Sequence, residues 1–135
     1  MDIPNKFYRV SVKALIQDGR GKIVLVQERS NDWSIPGGGL EFGESIEVAL
    51  GRELTEELGV AMQSFTPTPV AAWPSQNKKK TCYCFIVLYA VTPTSFDFKT
   101  SEEVPAIKFF SPEEILVPGF PIDPADAVLL EYLGK

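Results

Sequence analysis

The chain has 135 residues, 44% apolar and 23% charged, with 13 basic against 18 acidic side chains for a net charge of -5. That is the composition of an ordinary soluble globular protein, and the length predicts a single domain over residues 1–135 with a sizeable core. The acid excess argues against electrostatic capture of a nucleic-acid polymer, the absence of histidine excludes His-based triads, zinc sites and bases, and the longest apolar run, Cys82 to Val91, is far short of a membrane span.

The N-terminal stretch Met1 to Val10 lacks the apolar centre of a signal peptide. Phe7 to Ile16 alternates, with Val10, Val12, Ala14 and Ile16 in step, and predicts a strand with one covered face. After the Asp18–Gly21 turn, Ile23 to Val26 predicts a buried strand that pairs with the first as a hairpin. Trp33 to Pro36 is extended, because the residue before proline is pushed to the β region. Gly37, Gly38 and Gly39 then allow the backbone to approach a ligand or another element closely. Ser45 is the expected N-cap of a helix ended by Gly59, with Leu50, Leu54 and Leu58 as its apolar stripe. Gly51 inside that helix suggests close packing against a strand.

Val60 to Trp73 is irregular around Pro67 and Pro69, then a strand from Val70. Pro74 to Lys80 is a polar loop, and Lys78–Lys80 is either a solvated tip or a basic loop that meets phosphates. Thr81 to Val91, apolar on both faces, is the predicted central strand. Cys82 and Cys84 point to one face of it and read as buried thiols that do not pair with each other, implying a reducing, cytoplasmic compartment. Ser101 to Glu103 is an acidic loop and Ala106 to Phe110 a strand. Ser111 to Glu114 is a capping box with proline at the first helical position. Asp123 and Pro124 open the last helix, whose apolar face is Leu129, Tyr132 and Leu133. Strands and helices mixed in this order predict an α/β or α+β sandwich around a mixed sheet.

The acidity is local. Gly38 to Val60 holds Glu41, Glu44, Glu47, Glu53, Glu56 and Glu57 against one base, Arg52, so its charge equals that of the whole chain. On a helix Glu53, Glu56 and Glu57 fall on one arc, where like charges repel. Glu56 and Glu57 also occupy the last turn, where the helix dipole disfavours anions. A bound divalent cation is the simplest compensation, and hard oxygen ligands suit Mg²⁺ or Mn²⁺.

Written as a pattern, this stretch is G-x5-E-x7-R-E-U-x-E-E-x-G-U with U apolar, filled by Gly38, Glu44, Arg52, Glu53, Leu54, Glu56, Glu57, Gly59 and Val60. It resembles the signature of the Nudix hydrolases, and the lead-in Trp33 to Gly38 and the later segment Ser101 to Glu114 are similar to the family's flanks. The resemblance implies an α/β/α sandwich around a mixed sheet and hydrolysis of a nucleoside diphosphate linked to some moiety X. It implies metal ligation by Glu53, Glu56 and Glu57, with the Gly38 backbone and Glu103 completing the set, and substrate contacts from Arg29, Gly38 and Gly39. Arg52 is expected to hold one of the carboxylates, Glu44 to brace the loop–helix corner, and Glu103, with Glu102 as substitute, to serve as general base unless a box glutamate does so. Phe7, Tyr8, Trp33 and Trp73 are either core or base-stacking residues.

A (deoxy)nucleoside triphosphate is the expected substrate. ADP-ribose, suggested by Pro74, nucleotide sugars and dinucleoside polyphosphates are the alternatives, and a non-catalytic nucleotide-binding module is a further one. The partner is thus a small nucleoside diphosphate derivative, bound by a monomer or a homodimer.

Overall fold

The structure is a computed structural model and describes residues 7–28, 30–77 and 82–134. In chain order it contains β1 (Tyr8–Leu15), β2 (Ile23–Gln27), β3 (Trp33–Ser34), β4 (Gly37–Gly39), α1 (Ile46–Leu58), β5 (Met62–Phe65), β6 (Ala71–Asn77) and β7 (Cys82–Pro93). It ends with β8 (Ala106–Phe110), α2 (Pro112–Ile115), a 3₁₀ turn at Pro124–Asp126 and α3 (Ala127–Leu133). Arg29 and Lys78–Lys80 lie outside the described residues.

β7 is central, as its two apolar faces predict. β1 runs parallel along one of its edges, from the Tyr8–Tyr83 pair to Leu15–Ala90, while β6 and β5 share the other edge in antiparallel register. β4 completes this mixed sheet beyond β1, and β3, β2 and β8 form a second, antiparallel sheet. Leu50, Leu54 and Leu58 of α1, all 0% exposed, pack on Val12, Ala14, Ile16, Val24, Val26 and Tyr89. The opposite side buries Leu15, Ile35, Ile86 and Leu88 under Val128 and Leu129 of α3. The result is the expected sandwich of helices about a mixed sheet. Among the described residues no helix is long and apolar enough to cross a membrane.

Four local expectations change. β1 and β2 do not form a hairpin: they meet only at the Gln17–Ile23 bridge and then part into different sheets. Ile23 to Val26 are all fully buried, so β2 needs cover on both faces and finds it between the layers. Pro74 to Asn77 continue β6 rather than forming a loop. Proline is tolerated there because, among the described residues, β6 pairs with β7 alone and its other edge is unpaired. Met62 to Phe65, read as irregular, form a strand with a register shift between Met62 and Ser64. At Gly51 a Cβ would meet nothing within 4 Å, so close packing does not account for that glycine.

The helix ends follow the local rules. The Ser45 side chain accepts from the Val48 N–H at 3.2 Å, and Gly59 adopts the left-handed conformation at φ 70°, its N–H donating to Thr55. The Ser111–Glu114 capping box is complete. Cys84 is buried at 6% exposure.

Candidate active site

β4 lies antiparallel to β1, with Ser11, Val12 and Lys13 opposite Gly39, Gly38 and Gly37. Each glycine leaves its side-chain position to a charged neighbour. A Cβ at Gly37 would strike the Val12 carbonyl oxygen and the Lys13 stem, one at Gly38 would stand 2.6 Å from Glu53 Oε1, and one at Gly39 would overlap the Arg9 guanidinium. Gly37 also has φ 139°, a conformation other residues rarely adopt. The glycine run is therefore a rigid strand on which charged side chains are seated, rather than a flexible turn.

Arg52 joins four groups at this corner. Its Nε and Nη2 donate to the two Glu44 oxygens at 2.7 and 2.9 Å, its Nη1 to Glu53 Oε1 at 2.8 Å, and its Nη2 to the Gly39 carbonyl at 3.2 Å. Glu56 Oε2 lies 3.5 Å from Nη1. The fork of donors matches several oxygens at once, which a lysine would not do. The Arg52 hydrogen bonds, with the Glu41 N–H, hold the Glu44 carboxyl down at about 2, and Glu44 in return raises the Arg52 pKa. Arg52 thus braces a carboxylate as expected, and Glu44 ties the loop to the helix.

The three signature glutamates are not equivalent. They do not project together from the solvent face of α1. Glu53 and Glu57 interleave with Leu50, Leu54 and Leu58 on the buried side, at 8% and 7% exposure, while the Glu56 side chain is 57% exposed. The bare surface of β4 lets carboxylates pack where other strands would present side chains. Glu57 Oε1 accepts the Gly37 N–H at 2.6 Å. Burial raises the Glu53 pKa against the pull of Arg52. It pushes Glu57 up to about 9, with Lys13 and the Gly37 N–H opposing and a hydrogen bond to Glu28 adding to the rise.

Three residues join the site that the sequence reading missed. Glu28 meets Glu57 from the end of β2. Lys13 donates to the Ile35 carbonyl at 3.1 Å and lies 3.7 Å from Asp126, whose other oxygen accepts the Ile35 N–H at 2.9 Å. A lysine within the alternating run of β1 was the one visible signal for this group.

Glu102 and Glu103 are exposed in their loop, and among the described residues no hydrogen bond or ion pair links either to α1. Arg29 lies outside the described residues. Of the aromatic residues, Trp33 packs edge-on to Phe110 at 4.9 Å, whereas Phe7 and Tyr8 are exposed, and Trp73 is 40% exposed. Phe7, Tyr8, Arg9, Leu40, Phe42 and Glu44 line a cleft of about 550 Å³ beside the Arg52 corner.

The oxygen donors suit a hard divalent ion. Among the described residues no three acidic side chains converge on one point, since Glu53 is turned to Arg52 and Glu57 to Gly37. What favours a cation is the buried state of Glu53 and Glu57, whose negative charge burial resists, with Glu28 crowding Glu57.

The NUDIX domain family matches this chain over residues 7–133. A CTP pyrophosphohydrolase of Escherichia coli (strain K12) is 33% identical over 128 residues, covering 90% of this chain and 89% of that protein. An RNA pyrophosphohydrolase of Ruthia magnifica is 37% identical over 62 residues, and the nucleoside triphosphatase NudI of Escherichia coli O81 (strain ED1a) is 29% identical over 94. These matches take in 45% and 62% of this chain, but only 35% and 64% of those two proteins' own length. The solution structure of the E. coli ORF135 protein superposes with a TM-score of 0.79 at 28% identity, covering 99% of this chain and 94% of that one. The chain therefore belongs to the NUDIX domain family, whose members generally need a divalent metal ion.

Proposed function

We propose that this chain hydrolyses a (deoxy)nucleoside triphosphate to the monophosphate and pyrophosphate in a reaction dependent on Mg²⁺ or Mn²⁺. One observation carries the reading: Glu53 and Glu57 are buried together against the bare Gly37–Gly39 strand, with Arg52 bracing Glu53. Burial penalises the charge of both carboxylates even with Arg52 and Lys13 nearby, and a further cation at this face offsets that cost. The choice of triphosphate is supported by similarity to the CTP pyrophosphohydrolase along nearly the whole chain.

Glu53, Glu56 and Glu57 would hold the metal, with the Gly38 carbonyl and Glu103 as further oxygen ligands. The bound ion would neutralise phosphate oxygens and make a water more acidic. Arg52 keeps Glu53 from swinging away, and the Gly37 N–H does the same for Glu57. Arg29 and the backbone at Gly38 and Gly39 are the phosphate-binding candidates that the family resemblance implies, and the cleft beside Arg9 has the size of a small-ligand site. Glu103 accepts the proton of the attacking water. The new bond joins water oxygen to phosphorus, and the bridging oxygen leaves with the pyrophosphate.

The test is a hydrolysis panel of nucleoside triphosphates, ADP-ribose, nucleotide sugars and dinucleoside polyphosphates with Mg²⁺ and Mn²⁺ at mildly alkaline pH. Triphosphates should be turned over fastest, and Glu57→Gln should lower kcat by at least about 100-fold with the fold intact. Wild-type turnover by that variant, or metal-dependent nucleotide binding with no hydrolysis across the panel, would sink the proposal.

A further inference from the structure

We propose that Lys13 and Asp126 form a buried clamp that positions Gly37 and, through it, Glu57, so that both are positioning residues for the metal-binding face. The inference rests on the reading of Glu57 as a metal ligand. Ile35, two residues before Gly37, is gripped on both sides of its backbone: its N–H donates to Asp126 Oδ2 at 2.9 Å and its carbonyl accepts from Lys13 Nζ at 3.1 Å. The Lys13 stem also fills the space beside Gly37 Cα. The next contact outward is the 2.6 Å hydrogen bond from the Gly37 N–H to Glu57 Oε1. An unbroken series of contacts therefore runs from the 3₁₀ turn before α3, through β1 and β4, to α1.

Asp126 is deeply buried at 1% exposure, and the Lys13 side chain is partly buried at 14%. At 3.7 Å their charges compensate each other as an ion pair, too far apart for a hydrogen bond, and among the described residues Asp126 Oδ1 has no hydrogen-bond partner. Ordinary packing would be served as well by two apolar residues. What apolar residues could not supply is a donor and an acceptor on the two sides of Ile35. Lys13 also faces Glu57 and Glu28, which raise its pKa together with Asp126 and Asp123 although burial works the other way.

The variants are Lys13→Met, which keeps the stem beside Gly37 but loses the donor and the charge, Asp126→Asn, which keeps an acceptor for Ile35, and the two combined. The double variant leaves no buried charge unpaired, so it should recover most of the Tm lost by either single change. Two local readouts separate positioning from stability. In metal-free protein, hydrogen exchange at the Gly37 amide should quicken about tenfold in the double variant. The Val24 amide, bonded to Ile16 at 3.0 Å away from the clamp, should keep its wild-type rate. Mn²⁺ alone, titrated by its spin-resonance signal, should bind about fivefold more weakly.

Equal acceleration at both amides, or none at Gly37, overturns the clamp. So does wild-type Mn²⁺ affinity in a double variant whose Gly37 amide is exposed. If the wild type binds no Mn²⁺ and hydrolyses nothing, the metal reading fails while the amide comparison still decides whether the clamp holds Gly37.

Discussion

Replacing Gly38 by alanine adds a single methyl group at the point where the site is most crowded. Gly38 is not among the glycines with positive φ, so alanine adopts its backbone without strain. The new Cβ would stand 2.6 Å from Glu53 Oε1, 2.9 Å from its Cδ and 3.1 Å from Oε2, against an ordinary contact that begins at 3.4 Å. The carboxylate must therefore retreat by about 0.8 Å, away from β4 and off the Arg52 Nη1 that holds it at 2.8 Å. Because the group that moves ends a flexible side chain, the stability cost falls at the low end for overpacking, about 1 kcal/mol, or a few degrees in Tm. The catalytic cost is larger. A misplacement near 1 Å costs on the order of 100-fold, so kcat/KM should drop roughly 30- to 100-fold, equivalent to about 2–2.7 kcal/mol of transition-state stabilisation. The assay is metal-dependent pyrophosphate release from the triphosphate best used by the wild type, paired with thermal melting of the same samples. Wild-type kcat/KM in a folded Gly38→Ala protein would refute the reasoning. A Tm loss above about 10 °C that accounts for all the lost activity would refute it equally, because the methyl would then be acting on the fold.

Leu54→Ala removes a fully buried side chain between the two carboxylate-bearing turns of α1 and should cost about 2–5 kcal/mol in urea unfolding; a loss below 1 kcal/mol would mean that the helix is not held as described. Gly51→Ala meets open space and should stabilise the protein by up to about 1 kcal/mol through helix propensity, whereas a lower Tm would point to an unrecognised need for glycine. In metal-free protein the Glu57 carboxyl has a folded-state pKa raised to about 9 from an ordinary 4.5. A raised acid favours the fold while it is protonated in the folded protein. Its contribution is full below about 4.5 and is lost as pH rises towards 9, so metal-free Tm should fall across that window. Added Mg²⁺ should flatten the fall by binding the ionised form, and a metal-free profile already flat from pH 5 to 9 would contradict the assignment. Glu44 acts in the opposite sense: held down at about 2 by Arg52, it contributes above 4.5 and its contribution is lost as pH falls to 2. Arg52→Met should remove that acid-side loss.

What could be read from the chain alone was what is encoded within a few residues. The Ser45 cap, the leucine stripe, the Gly59 stop and the i, i+3, i+4 glutamates are local relations, and each stands where it was expected. The two apolar faces of β7 likewise announced a central strand, and the spacing from Gly38 to Val60 was enough to identify the family. Only the tertiary structure decided which strands pair, because β1 and β2 both had a plausible partner in each other and better ones far away in sequence. It also decided that Glu53 and Glu57 are buried while Glu56 is not. Helical spacing puts residues on an arc, but burial depends on what lies opposite, and here that is a glycine strand without side chains. Glu28 and Asp126 were silent, and Lys13 showed only as a lysine in an alternating strand, for the same reason: each gains its meaning from a partner more than twenty residues away, through contacts and hydrogen bonds that no local pattern records.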